Sequence, residues 1–138
     1  MTNKTWNKYF ISPQKFHDDI IELCNLIPKN KFKYVLGIPR GGSIIAVYVS
    51  HHCNLAYIEH GNIICVDDLD EILVVDDLVD TGRTWNVDYF EHKLDCFATL
   101  YYKPRSIVKP TYYVEEFKNS DWLVFPFEKP DEIPNREV

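Results

Sequence analysis

Residues 72–84 read Ile-Leu-Val-Val-Asp-Asp-Leu-Val-Asp-Thr-Gly-Arg-Thr and hold the densest chemistry in the chain. An apolar, strand-forming run ends on two carboxylates, Asp76 and Asp77. A third, Asp80, follows, and Thr81-Gly82-Arg83-Thr84 leads into a predicted helix. Open α/β sheets bind ligands in the crevice beyond the carboxyl ends of their strands. Gly82 lets backbone amides approach a phosphate with no Cβ in the way. Thr81 and Thr84 add hydroxyl donors, and a helix amino terminus favours an anion. The carboxylates suit ribose hydroxyls or Mg²⁺, a hard cation that takes oxygen ligands. An acid pair after a strand is, taken alone, more often an N-cap or a solvated turn. The whole run, with Asp-Asp, Asp-Thr-Gly-x-Thr behind an apolar strand, is far more specific.

Elements of the right type surround this loop. Ser12-Pro13 pairs a cap residue with a proline at the first helical position. Phe16, Ile20, Leu23 and Ile27 then recur at helical spacing until Pro28. Tyr34–Ile38 reads as a strand ending in a tight loop, Pro39-Arg40-Gly41-Gly42, and Ser43–His52 as a buried helix. Leu55–Ile58 and Ile63–Val66 are strand candidates joined by a turn at His60-Gly61-Asn62. Ile72–Val75 is the clearest strand, and Thr84–Lys93 a helix. Phe97–Tyr102 and Tyr112–Val114 are further strands, and the Pro-rich tail after Trp122 reads as irregular. This alternation predicts an α/β fold, an open and mostly parallel sheet with helices on both faces.

The chain has 138 residues, 46% of them hydrophobic, which is enough for a single core without disulfide or metal staples. A net charge of −6 argues against broad binding of nucleic acid. It leaves room for a small phosphorylated ligand held by a few amides and a cation. The scattered cysteines, Cys24, Cys53, Cys65 and Cys96, read as buried free thiols of a reducing compartment. The start of the chain has no apolar signal core and no apolar run is long enough to span a membrane, so a soluble cytoplasmic protein is expected. His17, His51, His52, His60 and His92 show no metal-ligand spacing.

Residues 72–84 resemble the 5-phosphoribosyl-1-pyrophosphate (PRPP) binding motif of the type I phosphoribosyltransferases, and most of all that of the xanthine-guanine enzymes. The likeness extends along residues 34–128. Ile38-Pro39-Arg40-Gly41-Gly42 resembles the family's pyrophosphate loop. Tyr102-Lys103-Pro104 falls where the purine enzymes place a lysine that contacts a 6-oxopurine. Asp121-Trp122-Leu123, followed by Pro126, is similar to the segment that stacks on the base. The resemblance implies one phosphoribosyltransferase domain over 1–138, with a core at about 12–103 and a small hood formed by about 104–138 plus the N-terminal segment.

It also implies roles. PRPP would be bound by Arg40, Gly41, Gly42, Asp76, Asp77, Asp80, Thr81, Gly82, Arg83 and Thr84. Arg40 and Gly41 would offer N–H donors to pyrophosphate, and residues 81–84 would cradle the 5′-phosphate. Asp77 would lie by Mg²⁺. Asp80, near purine N7, would be the catalytic general base as the bond to N9 forms. Lys103 would read O6, Trp122 would stack on the base, and the Leu123 backbone would meet the group at C2. The implied partners are PRPP, a purine base (guanine, xanthine or hypoxanthine) and further copies of the chain in a homodimer or homotetramer.

Blander readings stand beside these: Arg40 as a surface turn residue, Lys103 as a strand-end lysine, Trp122 and Phe127 as covers of the core. Two features depart from the family. Position 83 is arginine where the nearest family pattern has glycine. More seriously, the family's long mobile lid has only the short acidic stretch 57–71 in its place. No Lys or Arg occurs between Arg40 and Arg83. A lid excludes water and completes the charge-stabilising set. Arg105, a neighbouring subunit or a second Mg²⁺ are alternative sources of the missing charge. The competing reading is a non-catalytic PRPP- or nucleotide-binding regulatory domain on the same fold. A third, a phosphoacceptor receiver domain, fails because Asp76-Asp77 and Lys103 are too close in sequence to admit the strand that would carry the phosphorylated aspartate.

Overall fold

Ser12 starts the first helix as its sequence predicts. Its hydroxyl accepts from the Lys15 amide at 3.0 Å, and Pro13 occupies the first turn of α1 (Pro13–Leu26). The structure, a computed structural model, describes residues 7–82, 96–118 and 121–130. The predicted helix 84–93, with Arg83 and Thr84 before it, lies outside the described residues.

The strands are β1 (Lys8–Phe10), β2 (Tyr34–Gly37), β3 (Ala56–Ile58), β4 (Ile72–Val79), β5 (Phe97–Tyr102), β6 (Tyr112–Glu116) and β7 (Trp122–Val124), and α2 spans Gly41–His52. Five of them form one sheet in the order β3-β2-β4-β5-β6, and all its pairings are parallel. Because β2, β4 and β5 are consecutive, their carboxyl ends bring the loops after Ile38, Val79 and Tyr102 to one edge. The open parallel α/β sheet expected from the sequence is the one observed.

Both faces of the sheet are buried, which accounts for the continuous apolar runs. Val35, Leu73, Val75 and Ala98 join Phe16, Ile20 and Leu23 of α1 and Ile45, Ala46 and Val49 of α2 in one core. Leu36, Ile72, Val74 and Phe97 pack on the other face with Ile63. The one acid on the buried stripe of α1 is Asp19. Its Oδ2 accepts from the Tyr101 hydroxyl at 2.6 Å and pairs with Lys15 at 2.9 Å. Lys15 also reaches Glu115 at 2.8 Å, which ties α1 to β5 and β6. Burial, then the bond to Asp19, pushes the Tyr101 phenol well above its usual range.

Several expectations need correction. Ile63–Val66 is no strand: His60–Cys65 is a 3-10 helix. The Glu59 side chain and Asn62 close a reciprocal capping box there, with Asn62 Oδ1 accepting from the Glu59 amide at 3.1 Å. Those side-chain bonds win over the weak β pattern of a run that sends Ile63 into the core. A second 3-10 turn, Leu69–Glu71, leads into β4. Helix α2 starts at Gly41, earlier than Ser43. Strand β4 continues past the acids to Val79, because Leu78 and Val79 still pair with Tyr101 and Tyr102 of β5. The tail is not wholly irregular: β7 pairs in parallel with β1, which the sequence did not reveal.

The thiols also differ from expectation. All four cysteines are free, but Cys65 is exposed and Cys53 and Cys96 are half-buried. Only Cys24 is buried, and burial pushes its thiol up to about 12.

Candidate active site

The loops after β2 and β4 meet at two glycines. Gly37 pairs with Val75, and the Ile38 amide donates to the Val75 carbonyl at 2.9 Å, so Arg40-Gly41-Gly42 turns directly over Asp76-Asp77. A Cβ on Gly42 would lie 2.5 Å from the Val75 carbonyl oxygen and 3.1 Å from Asp76 Cα. A Cβ on Gly41 would collide with Asp77 Oδ2. At Gly42 the obstacle is backbone, so no side chain fits; at Gly41 it is the end of the Asp77 side chain, which would have to move. The Pro39–Arg40 peptide is cis. Gly42 N–H donates to the Ile38 carbonyl and Ser43 N–H to that of Arg40, so those amides serve the turn itself. Arg40 is exposed and stands at the N-cap of α2, and the first turn of α2 holds no acid to offset its positive end.

The acids lie at different depths. Asp77 and Asp80 are buried, while Asp76 is half-buried and its Oδ1 accepts from the Asp77 amide at 2.8 Å. Asp80 is held by Arg105, whose Nε lies 2.6 Å from Oδ1. The loop then turns at Gly82, whose φ of +85° is a left-handed conformation that a β-carbon disfavours. The segment after β5 props this turn, since the Ile107 amide donates to the Thr81 carbonyl at 2.9 Å.

Lys103 follows the last residue of β5 and is 2% exposed. Its amide donates to the Val79 carbonyl at 2.9 Å, and its ammonium donates to the Asp121 carbonyl. The lysine therefore links the β4 end to the segment that carries Trp122. Trp122 is half-buried and its amide donates to Asn7 at 2.8 Å. The Leu123 side chain is in the core at 1% exposure.

The structure thus brings Gly41, Gly42, Asp76 and Asp77 into one contact zone, with Arg40 next in the chain. Asp80, Thr81, Gly82 and Lys103 adjoin it on neighbouring strand ends. Arg83 and Thr84 lie outside the described residues. Phe127 does more than cover the core. Its ring stacks on Phe125 at 5.5 Å, packs on Phe16 at 5.7 Å, and its Cζ would lie 3.0 Å from a Gly41 Cβ. It lies against Gly41 on the side of the Asp77 carboxylate, a position that residue type alone does not signal. Among the described residues no group of three or more His, Cys, Asp or Glu is arranged to hold a metal, and no helix is long and apolar enough to cross a membrane.

Gly41→Ala tests the contact. The added methyl displaces the Asp77 carboxylate, the far end of a side chain, so the fold should hold. We expect PRPP·Mg²⁺ affinity, read by calorimetry, to fall about tenfold or more, in line with ~1–3 kcal/mol for a forced side-chain insertion. Unchanged affinity would separate the glycine contact from ligand binding.

A parallel α/β sheet with a glycine turn, buried acids and a helix amino terminus at one strand edge is an arrangement suited to a phosphorylated ligand. No family model matches the chain. It is 29% identical over 148 aligned residues to a xanthine-guanine phosphoribosyltransferase of Desulfotalea psychrophila, covering 93% of this chain and 91% of that one. It is 25% identical over 142 residues to the enzyme of the same name from Idiomarina loihiensis, covering 88% and 87%. Among solved structures, a purine phosphoribosyltransferase from Pyrococcus horikoshii superposes with a TM-score of 0.77 at 28% identity, covering 93% of this chain and 99% of that one. Its fold is that of the type I phosphoribosyltransferases, and its sequence is similar to theirs along most of its length.

Proposed function

We propose that this chain is a purine phosphoribosyltransferase that moves the 5-phosphoribosyl group of PRPP to a 6-oxopurine (guanine, xanthine or hypoxanthine) and releases pyrophosphate. The observation that carries this reading is the interlock of the Arg40-Gly41-Gly42 turn with Asp76-Asp77, beside Asp80 and the strand-end Lys103. Its relatives are named for xanthine and guanine, and the solved neighbour for purines.

In this reading the base loses its ring proton to Asp80 as the C1–N9 bond forms. The C1–oxygen bond breaks and its electron pair leaves on pyrophosphate. The reacting carbon passes through an oxocarbenium-like state, so positioning and stabilisation of the leaving group supply the rate. The Arg40 and Gly41 amides face the pyrophosphate, Asp76 and Asp77 the ribose hydroxyls, and residues 81–84 the 5′-phosphate. Lys103 reads O6, and Trp122 and the Leu123 backbone bound the base.

Mg²⁺ suits this donor set. Asp76 and Asp77 offer only carboxylate oxygens, and two carboxylates without a closed protein cage match an ion that keeps water and substrate phosphate in its shell. Asp77 would hold it. Bound there, the ion supplies a Lewis acid and a template for pyrophosphate. Free thiols among the described residues suit the cytoplasm, where the protein would act as a homodimer or homotetramer.

A second reading, a PRPP- or nucleotide-binding domain without turnover, is favoured by one observation. Where a lid is expected, His60–Cys65 and Leu69–Glu71 form two short 3-10 turns that carry no Lys or Arg. Separate incubations with PRPP, Mg²⁺ and guanine, xanthine, hypoxanthine or adenine decide between them. Nucleotide from a 6-oxopurine and none from adenine supports the transferase. PRPP binding with no product from any base supports the second reading.

A further inference from the structure

Arg105 belongs to none of the assigned substrate contacts, yet among the described residues it makes the closest polar contacts of Asp80. Its Nε donates at 2.6 Å and its Nη2 lies at 2.5 Å, both to Oδ1; the other carboxylate oxygen takes part in neither contact. The two side chains are unequally placed: Asp80 is 6% exposed and Arg105 53%. The guanidinium therefore stands between solvent and a buried carboxylate. A buried carboxylate needs a partner, and here two nitrogens of the arginine fork converge on one carboxylate oxygen, which marks that oxygen as the anchored one.

The turn that carries Arg105 is built into the candidate phosphate loop. The Ser106 amide closes it on the Lys103 carbonyl at 3.0 Å, and the Ile107 amide bonds Thr81 at 2.9 Å. Gly82 approaches so closely that a Cβ there would lie 2.6 Å from Ser106 Oγ and 2.8 Å from Val108 Cγ2. The turn and the loop are one packed unit. Of the other described candidate cations, Lys103 sends its ammonium to Asp121 and Arg40 lies on the glycine turn.

We propose that Arg105 is a positioning residue for the transfer reaction: it holds the Asp80 carboxylate by one oxygen, so that the other is the one presented to the purine. The inference rests on the transferase reading above. It gives Arg105 a task different from replacing a lid cation on pyrophosphate, and the two tasks separate kinetically.

The test compares wild type, Arg105→Met, Arg105→Lys, Asp80→Asn and the Arg105→Met/Asp80→Asn double variant, with PRPP, Mg²⁺ and the base that wild type uses. Arg105→Met should lower kcat on the order of tenfold to a hundredfold, the scale of a small misplacement at a reacting group. The KM for PRPP should change by less than about threefold, because the interaction lost is not one with PRPP. Arg105→Lys should recover only part of kcat, since an ammonium restores charge but not the fork. In the Asp80→Asn background, Arg105→Met should cost less than about twofold, as expected when one residue acts through the other. Arg105→Met should melt at a lower temperature, because it leaves the buried Asp80 carboxylate without its partner, and the Asp80→Asn background should restore most of that loss.

A full effect in the Asp80→Asn background overturns the proposal, as does a raised KM for PRPP with unchanged kcat, which would make Arg105 a phosphate contact. A wild type that turns over, with Arg105→Met equal to it, overturns this inference alone. A wild type that forms no nucleotide overturns the transferase reading and this inference with it.

Discussion

Asp80→Asn should lower kcat about a hundredfold to ten-thousandfold, the range that a positioned general base contributes. The KM for PRPP should stay within about threefold, because the lost interaction belongs to the transition state. The argument starts from burial. Asp80 is buried just past the end of β4, on the strand edge it shares with the glycine turn after β2 and with Lys103 after β5. Asparagine keeps the shape and one oxygen but takes up no proton. Steady-state kinetics with the base varied at saturating PRPP gives kcat, and calorimetry gives PRPP affinity. Unchanged kcat would remove Asp80 from proton transfer and leave it as a partner of Arg105. A fall in PRPP affinity as large as the fall in kcat would make it a binding residue.

Lys103→Met should raise the KM for the base about tenfold to a hundredfold and change PRPP affinity less than about twofold. A hydrogen bond from a charged donor contributes ~1.5–3 kcal/mol, which sets this range. Methionine keeps most of the aliphatic stem and removes the ammonium. The structure adds a second consequence. The Lys103 ammonium donates to the Asp121 carbonyl, so the segment holding Trp122 is fastened by the residue assigned to O6. An ammonium has three donors, so a bond to Asp121 and one to a purine oxygen are compatible. The base pocket and its lysine should therefore fail together in the variant while the PRPP half of the site survives. Equal loss of base and PRPP binding would assign Lys103 to structure alone.

The parts of this protein legible in its sequence are those fixed by local rules. Ser12-Pro13 announced α1 through cap chemistry, and Tyr34–Ile38, Ile72–Val75 and Phe97–Tyr102 announced strands buried on both faces. The acids and glycines of the site were legible because each type has a narrow set of uses at a strand end. Long-range contacts were not. The β1–β7 pair joins two three-residue segments from opposite ends of the chain, and neither carries a pattern long enough to mark it. The 3-10 turn at His60–Cys65 was decided by the bonds of Glu59 and Asn62, which outweigh a short apolar run. Arg105 was visible as a cation near the site, but its grip on Asp80 is a tertiary contact between two loops. The approach of Gly41 to Asp77 depends on β2 and β4 being neighbours, a fact of topology.

The most direct test of the central claim is the stoichiometry of one reaction: PRPP, Mg²⁺ and a 6-oxopurine, with nucleotide and pyrophosphate measured in the same samples. The account predicts that both appear together, one for one, with catalytic turnover, and that omitting the base abolishes both. PRPP that binds yet yields neither product with guanine, xanthine or hypoxanthine, or pyrophosphate released without nucleotide, would contradict it.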